Sequence, residues 1–166
     1  RPAIQTGEVL HATYEDFAAQ SCAIGRHLAQ HYNIQKGDRV ALFTRNCAEY
    51  LEILYGVLWI GAAIVPINYK LHPREAVWII ENARASIVIT ESGDVFGGDM
   101  SLPCPERGLT AFASLPRDTY QPPASVELDD IAWLFYTYGT TLRTKGVMIN
   151  HRKIHASDYL LCLSCQ

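Results

Sequence analysis

The sequence lacks the features that mark several large classes of protein. Its longest apolar run, from Ile53 to Ile67, is interrupted by glycines and by Pro66, and it is shorter than the roughly 20 residues that a membrane-spanning helix needs. It has no cluster of Lys and Arg, and a formal net charge of -3 argues against a nucleic-acid partner. It has no internal repeat and no low-complexity tract. These absences leave one globular domain as the expectation for 166 residues.

The chain also lacks a disulfide framework and a targeting signal. Its five cysteines form an odd set without regular spacing, which is typical of reduced thiols. The opening RPAIQTGEVL has no initiator methionine and no apolar signal region, so we expect a segment of a longer cytoplasmic protein. Charged residues make up 19% of the chain, below the roughly 25% usual for globular proteins. We therefore expect part of the surface to be covered by a second copy or by chain outside this sequence.

Helices and strands alternate over residues 1–90. The spacing of apolar residues predicts a helix over Tyr14–Tyr32, which Thr13 and Asp16 begin as a capping box. Two further helices are predicted, with N-caps at Asn46 and at His72. Buried strands are predicted at residues 39–44, 62–66 and 86–90. This alternation is typical of βαβ units, and it predicts an α/β fold with a mostly parallel sheet and flanking helices.

The remainder of the chain divides at a change of composition. Residues 91–128 are rich in Gly and Pro, which predicts an irregular connection. Residues 129–166 are predicted to hold a buried strand over Ile131–Thr137, a loop and a helix that follows His151. We therefore interpret residues 1–166 as one domain in three parts, namely 1–90, 91–128 and 129–166.

The loop after that last strand, YTYGTTLRTKG, has the composition of a phosphate site. It leaves the carboxyl end of a predicted parallel strand, where open α/β sheets bind ligands. Backbone N–H groups of a glycine-bearing turn, threonine hydroxyls and the ammonium of Lys145 all suit phosphate oxygens. Neither G-x-x-x-x-G-K-[ST] nor the dinucleotide pattern G-x-G-x-x-G fits these residues. An ordinary Thr/Gly turn is the structural alternative.

A family resemblance covers this loop and most of the chain. The run YTYGTTLRTKGVMINH resembles the signature of adenylate-forming enzymes, which reads approximately [ST]-S-G-T-T-G-x-P-K-G-V-x-x-[ST]-H. The earlier stretch GDRVALFTRNCAEYLEILYGVLWIGAAIVPINYKL is similar to the N-terminal part of the same family, which includes acyl-CoA synthetases. The similarity is weakest between Glu91 and Leu128. The resemblance implies that the α/β fold is part of the N-terminal domain of such an enzyme.

The resemblance implies an AMP-forming acid–thiol ligase. Such an enzyme joins a fatty or aromatic carboxylic acid to the α-phosphate of ATP with Mg²⁺, and then passes the acyl group to the thiol of CoA. In such enzymes this loop holds the departing phosphates. The resemblance implies no metal-ligating residue in this chain and identifies no catalytic residue. The implied phosphate-binding positions are Thr137, Gly139, Thr140, Thr141, Lys145 and Gly146.

Two observations leave an alternative open. Tyr138, Leu142 and Thr144 stand where the family pattern has serine, glycine and proline, and Leu142 would reshape a turn that needs positive φ. The chain also ends at Gln166, before the family's adenine contacts and catalytic lysine. We therefore expect this polypeptide alone not to complete the reaction, and the alternative is a truncated or degenerate homologue that acts as a binding or assembly module.

One further pattern has the spacing of metal ligands. Paired histidines and a CxxC can bind zinc, but a single CxxC is weak evidence for such a site. The residues concerned are His151, His155, Cys162 and Cys165.

Two other groups have a structural and a functional interpretation. Asp129 and Asp130 offer carboxylates to Mg²⁺, although a solvated turn before the strand is the preferred interpretation. Tyr50, Tyr55 and Trp59 lie near one helical stripe, and we interpret them as core residues rather than a substrate pocket.

Overall fold

The computed structural model describes residues 1–98, 100–117, 120–138 and 144–156, with the backbone alone for Tyr138 and Thr144. Residues 151–156 are helical. No helix in this part of the chain is long and apolar enough to cross a membrane. The other elements are β1 (Pro2–Thr6), β2 (Val9–Thr13), α1 (Tyr14–Tyr32), β3 (Arg39–Phe43), α2 (Ala48–Trp59), β4 (Ala63–Pro66), α3 (Pro73–Ala83), β5 (Ile87–Thr90), β6 (Glu106–Gly108), α4 (Thr110–Ala113), β7 (Ile131–Tyr138) and β8 (Thr144–Asn150).

Six of the strands form one sheet in the order β6-β5-β3-β4-β7-β8. β3 runs parallel to both β4 and β5, β6 is parallel to β5, and β7 is parallel to β4. β8 is antiparallel to β7. The predicted α/β fold with a mostly parallel sheet and flanking helices is confirmed.

The helices cover both faces of the sheet. Because successive strand residues point to opposite faces, Val40 and Leu42 of β3 pack with α1, α2 and α4, where Phe112 is fully buried. Ala41 of β3 points to the other face, where it packs with Ile80 of α3. The short apolar strands are therefore buried on both sides, as expected for parallel strands covered by helices.

Two of the three predicted helix starts are confirmed. The backbone N–H of Asp16 donates to the hydroxyl of Thr13 at 3.2 Å, and the N–H of Thr13 donates to the carboxylate of Asp16 at 3.1 Å. His72 and Glu75 form the same reciprocal box before α3, with proline at its first position. These starts were predictable because every contact lies within three residues.

The predicted N-cap at Asn46 is wrong. α2 begins one residue later than that cap requires, and the sulfur of Cys47 accepts a hydrogen bond from the N–H of Tyr50 at 3.4 Å. Sulfur is a weak acceptor, so cap preferences favoured the asparagine instead. Asn46 instead lines a cleft at the edge of the sheet.

Several strands and one helix were not predicted from the sequence. β1 and β2 form a separate antiparallel hairpin. β6 and α4 lie within residues 91–128, so that part of the chain is not wholly irregular. The carboxylate of Glu106 in β6 accepts from the hydroxyl of Thr90 and from the N–H of Val95, both at 2.7 Å. Such polar contacts produce no hydrophobic periodicity, so the sequence held no signal for β6.

β8 was not predicted either. It lies between the predicted loop and the predicted helix.

Burial differs from expectation at two places. β7 was predicted to be buried, but among its described side chains only that of Ala132 is buried, and Ile131 is 37% exposed. The reason is that β7 lies next to the outermost strand, β8. Tyr55 was interpreted as a core residue, but it is 49% exposed, whereas Tyr50 packs against the core.

Glu52 is a buried carboxyl group between α1 and α2. Its side chain is 8% exposed, and burial raises its pKa above the ordinary 4.5, with Arg117 opposing and Glu49 and Asp16 adding to the shift. As the pH rises above 4.5, the Glu52 carboxyl group therefore ionises in the unfolded chain before it ionises in the folded chain. The free energy of unfolding falls between pH 4.5 and the higher pKa of the folded state, and it stays at the lower value at higher pH.

Replacing Glu52 by Gln is expected to raise the free energy of unfolding at about pH 8 and to leave it almost unchanged at about pH 4, since the amide does not ionise. Urea denaturation at both pH values measures the difference. The exposed residue Glu15 supplies the control through Glu15→Gln. If Glu52→Gln and Glu15→Gln changed the free energy of unfolding by the same amount at each pH, the result would contradict the burial of the Glu52 carboxyl group.

Candidate functional site

The candidate site lies at the carboxyl edge of the parallel strands. β3 leads into α2 on one face of the sheet, whereas β4 leads into α3 on the other, so a crevice opens between these two strands. Ligands of open α/β sheets bind at such a point. A cleft of about 310 Å³ occupies it, and its lining comprises Thr44, Asn46, Tyr50, Pro66, Ile67, Asn68, Tyr69, Phe135 and Tyr136.

The lining of this cleft is aromatic and polar, with no charged side chain among the residues named. The nearby cation of Arg45 is paired, since its Nε and Nη2 donate to the carboxylate of Glu91 at 3.1 and 2.9 Å. Arg45 and Glu91 each follow one of two adjacent parallel strands. Sequence reasoning missed this pair, because residues 46 positions apart meet only through the sheet register. The cleft therefore suits an uncharged group better than an ion.

The predicted phosphate loop joins the two strands of a hairpin. In its register, Tyr136 pairs with Gly146, Thr137 with Lys145, and Tyr138 with Thr144. Of the predicted phosphate-binding residues, the structure thus brings Thr137, Lys145 and Gly146 together at the end of the hairpin. The others, Gly139, Thr140 and Thr141, lie outside the described residues, as do Leu142 and the side chains of Tyr138 and Thr144.

Thr137 and Lys145 share one face of the hairpin. Paired residues of antiparallel strands project to the same side, with Cβ atoms about 4.5–5.5 Å apart. Both residues are exposed, so a hydroxyl and an ammonium are available to one ligand. An anion placed there would meet a hydrogen-bond donor and a positive charge together.

The acidic pair lies at the opposite end of β7. Asp129 accepts from Arg152 at 3.1 Å, and Asp130 forms an ion pair with Lys36 at 2.8 Å. These hydrogen bonds from Arg152 and Lys36 lower the pKa of the two carboxyl groups. Both residues lie in a turn before the strand, so the preferred interpretation as a turn is confirmed.

The zinc pattern stays a prediction. Burial lowers the pKa of His151, and His155 lies in the same short helix. Cys162 and Cys165 lie outside the described residues. Within the ranges that the structure describes, no group of three or more His, Cys, Asp or Glu side chains is arranged to hold a metal ion.

Comparison with known proteins places this chain in one enzyme family. The family model described as "AMP-binding enzyme" matches residues 1–164. The crotonobetaine/carnitine–CoA ligase of Escherichia coli O127:H6 is 33% identical over 154 residues, which cover 80% of this chain and 29% of that enzyme. The chain thus spans less than a third of the length of this relative.

Solved structures agree with the fold. The fatty acyl-adenylate ligase of L. pneumophila, in complex with acyl adenylate and pyrophosphate, is 29% identical with a TM-score of 0.76, covering 92% of this chain and 28% of that one. The O-succinylbenzoate coenzyme A synthetase of Bacillus subtilis, in complex with AMP, has a TM-score of 0.80 at 21% identity, covering 96% and 41%. The latter similarity concerns the fold alone.

Proposed function

Because this chain belongs to the family of AMP-binding enzymes, we propose that it is the N-terminal part of an AMP-forming acid–thiol ligase. The observation that carries the proposal is the pairing of Thr137 with Lys145 at the end of a hairpin whose sequence resembles the family's phosphate loop. The first substrate is a carboxylic acid, the second is Mg-ATP, and the acyl acceptor is the thiol of CoA.

The proposed reaction has two steps. A carboxylate oxygen attacks the α-phosphorus of ATP, the bond to the bridging oxygen breaks, and pyrophosphate leaves with its electron pair. The CoA thiolate then attacks the acyl carbon, and AMP leaves. In the first step negative charge grows on the departing pyrophosphate, so donors fixed beside it lower the barrier.

Thr137 and Lys145 are proposed to supply that stabilisation. The threonine hydroxyl donates to a phosphate oxygen, and the lysine ammonium adds a charge-assisted hydrogen bond. Gly139, Thr140 and Thr141 are proposed to complete the phosphate site with backbone N–H groups and hydroxyls. Mg²⁺ arrives with ATP as part of the substrate.

The cleft at the sheet edge is proposed to hold an uncharged part of a substrate. Its lining offers the rings of Tyr50, Tyr69 and Phe135 and the amides of Asn46 and Asn68. Apolar walls with a few polar groups are typical of small-molecule sites. A cytoplasmic location, where CoA and ATP would both be available, is part of the same proposal.

Acid-dependent exchange of labelled pyrophosphate into ATP tests this proposal. We expect the isolated chain to bind Mg-pyrophosphate but to give no exchange above a blank without acid, because it spans less than a third of the length of the Escherichia coli ligase that it matches. Exchange by the isolated chain would contradict its proposed incompleteness. Absence of pyrophosphate binding would contradict the ligase assignment and favour a non-catalytic module.

A further inference from the structure

Tyr136 links the hairpin to α3. Its hydroxyl donates a hydrogen bond of 2.9 Å to Oδ1 of Asn82, near the end of α3. Its ring meets the ring of Trp78, one turn earlier in the same helix, edge to face with centroids 6.2 Å apart. This arrangement joins residues 54 positions apart in the sequence.

The same ring lies across Gly146 of the neighbouring strand. A Cβ atom at Gly146 would lie 3.3 Å from both Cε1 and Cζ of Tyr136, which is tighter than ordinary side-chain packing. The φ angle of Gly146 is not positive, so its backbone conformation does not require glycine. The absence of a side chain at this position therefore makes room for the ring of Tyr136.

The hairpin lies at one edge of the described sheet. β7 joins β4 through one register pair, Ile64 with Trp133, close to the amino end of β7. β8 is the outermost strand in the described sheet. The carboxyl half of β7, which carries Thr137, lies beyond that pair, and the contacts of Tyr136 tie it to α3.

We propose that Tyr136 is a positioning residue for phosphate binding, acting through its hydroxyl bond to Asn82 and its ring contact with Gly146. It lies one residue before Thr137, and its strand partner Gly146 lies one residue after Lys145. Movement of Tyr136 therefore displaces both proposed phosphate donors together. This inference rests on the proposed function, and it adds a residue that does not itself touch the phosphate.

A double-mutant cycle on Tyr136→Phe and Asn82→Ala tests the inference. Tyr136→Phe keeps the ring and removes only the hydroxyl. Each single substitution is expected to weaken the binding of Mg-pyrophosphate by about three- to tenfold, the range of one lost hydrogen bond, and the double variant is expected to bind no more weakly than the weaker single variant. Isothermal titration calorimetry measures the affinities, and thermal unfolding is recorded for each variant.

Tyr120→Phe is the matched control, because Tyr120 also meets a tryptophan, Trp59, edge to face, at 5.8 Å, on a different part of the surface. It is expected to leave the pyrophosphate affinity unchanged. Hydrogen exchange in the unliganded chain supplies a second measurement, in which Tyr136→Phe is expected to speed exchange at the amide of Lys145.

Two outcomes would overturn the inference alone. Unchanged affinity in Tyr136→Phe, while Lys145→Ala weakens binding, would reject the positioning role and leave the proposed function intact. Additive losses in the double variant would show that the hydroxyl and the amide do not act as a pair. A wild-type chain without pyrophosphate binding would instead reject the proposed function itself, and with it the use of Tyr136 in phosphate binding.

Discussion

Replacing Lys145 by alanine is expected to remove about half or more of the protection that Mg-ATP gives this chain against heat. A ligand that binds only the folded state at about 100 times its Kd stabilises it by about 2.7 kcal/mol. A hydrogen bond to a charged group contributes about 1.5–3 kcal/mol, so its loss weakens binding by roughly 10- to 100-fold. Thermal unfolding with and without millimolar Mg-ATP measures the protection.

Lys153→Ala is the control for this prediction. It removes the same charge from an exposed position three residues beyond the end of β8, and it is expected to keep the protection by Mg-ATP. Equal loss in both variants would mean that net charge, rather than the position of Lys145, governs binding. Full protection in Lys145→Ala would contradict the assignment of this lysine to the phosphate site.

Replacing Gly25 by alanine is expected to lower the free energy of unfolding by about 2 kcal/mol. α1 and α2 meet at two glycines, and a Cβ atom at Gly25 would lie 2.7 Å from the carbonyl oxygen of Gly56. The helices must separate to relieve this contact. Overpacking costs about 1–3 kcal/mol, and a contact with backbone as short as this one favours the upper end of that range. The better helix propensity of alanine returns about 1 kcal/mol, which leaves a net loss of about 2 kcal/mol.

Gly98→Ala serves as the control for the packing effect, because no atom lies within 4 Å of a Cβ built at Gly98. Urea denaturation is expected to give nearly the same midpoint for Gly98→Ala as for the wild-type chain. The fall in Tm for Gly25→Ala is expected to be about 4–8 °C. A Gly25→Ala variant as stable as the wild-type chain would show that α1 and α2 do not approach through these glycines.

Local signals in the sequence predicted part of the fold. The capping boxes at Thr13 and His72 could be predicted because all of their hydrogen bonds lie within one helical turn. The N-cap at Cys47 could not, since a sulfur acceptor has no strong positional preference. The buried strands of the βαβ units were predictable from short apolar runs between helices.

Contacts between distant residues account for what the sequence did not predict. β8 exists because residues 144–150 pair with β7, and the pattern TKGVMIN has no regular alternation that would predict a strand. The sequence suggested Gly146 as a phosphate-binding residue, but its contact with the ring of Tyr136 depends on the register between the strands. The family resemblance implied that Thr137 and Lys145 both bind phosphate. Only the structure showed that they pair directly across the hairpin.

The exposed apolar residues on β8 agree with the low charged fraction of the sequence. Val147 and Met148 are adjacent in the chain, so they project to opposite faces of the strand, and Met148 is 58% exposed. Large exposed side chains on both faces of an outer strand are typical of a surface that another segment covers. The cover, whether a second copy or further chain, stays a prediction.

Calorimetric titration of the wild-type chain with Mg-pyrophosphate tests the central claim most directly. The account predicts saturable binding at one site per chain, with magnesium salt alone giving no comparable heat and Lys145→Ala binding Mg-pyrophosphate roughly 10- to 100-fold more weakly. Absence of saturable binding by the wild-type chain at millimolar ligand would contradict the account, because the pairing of Thr137 with Lys145 would then hold no phosphate.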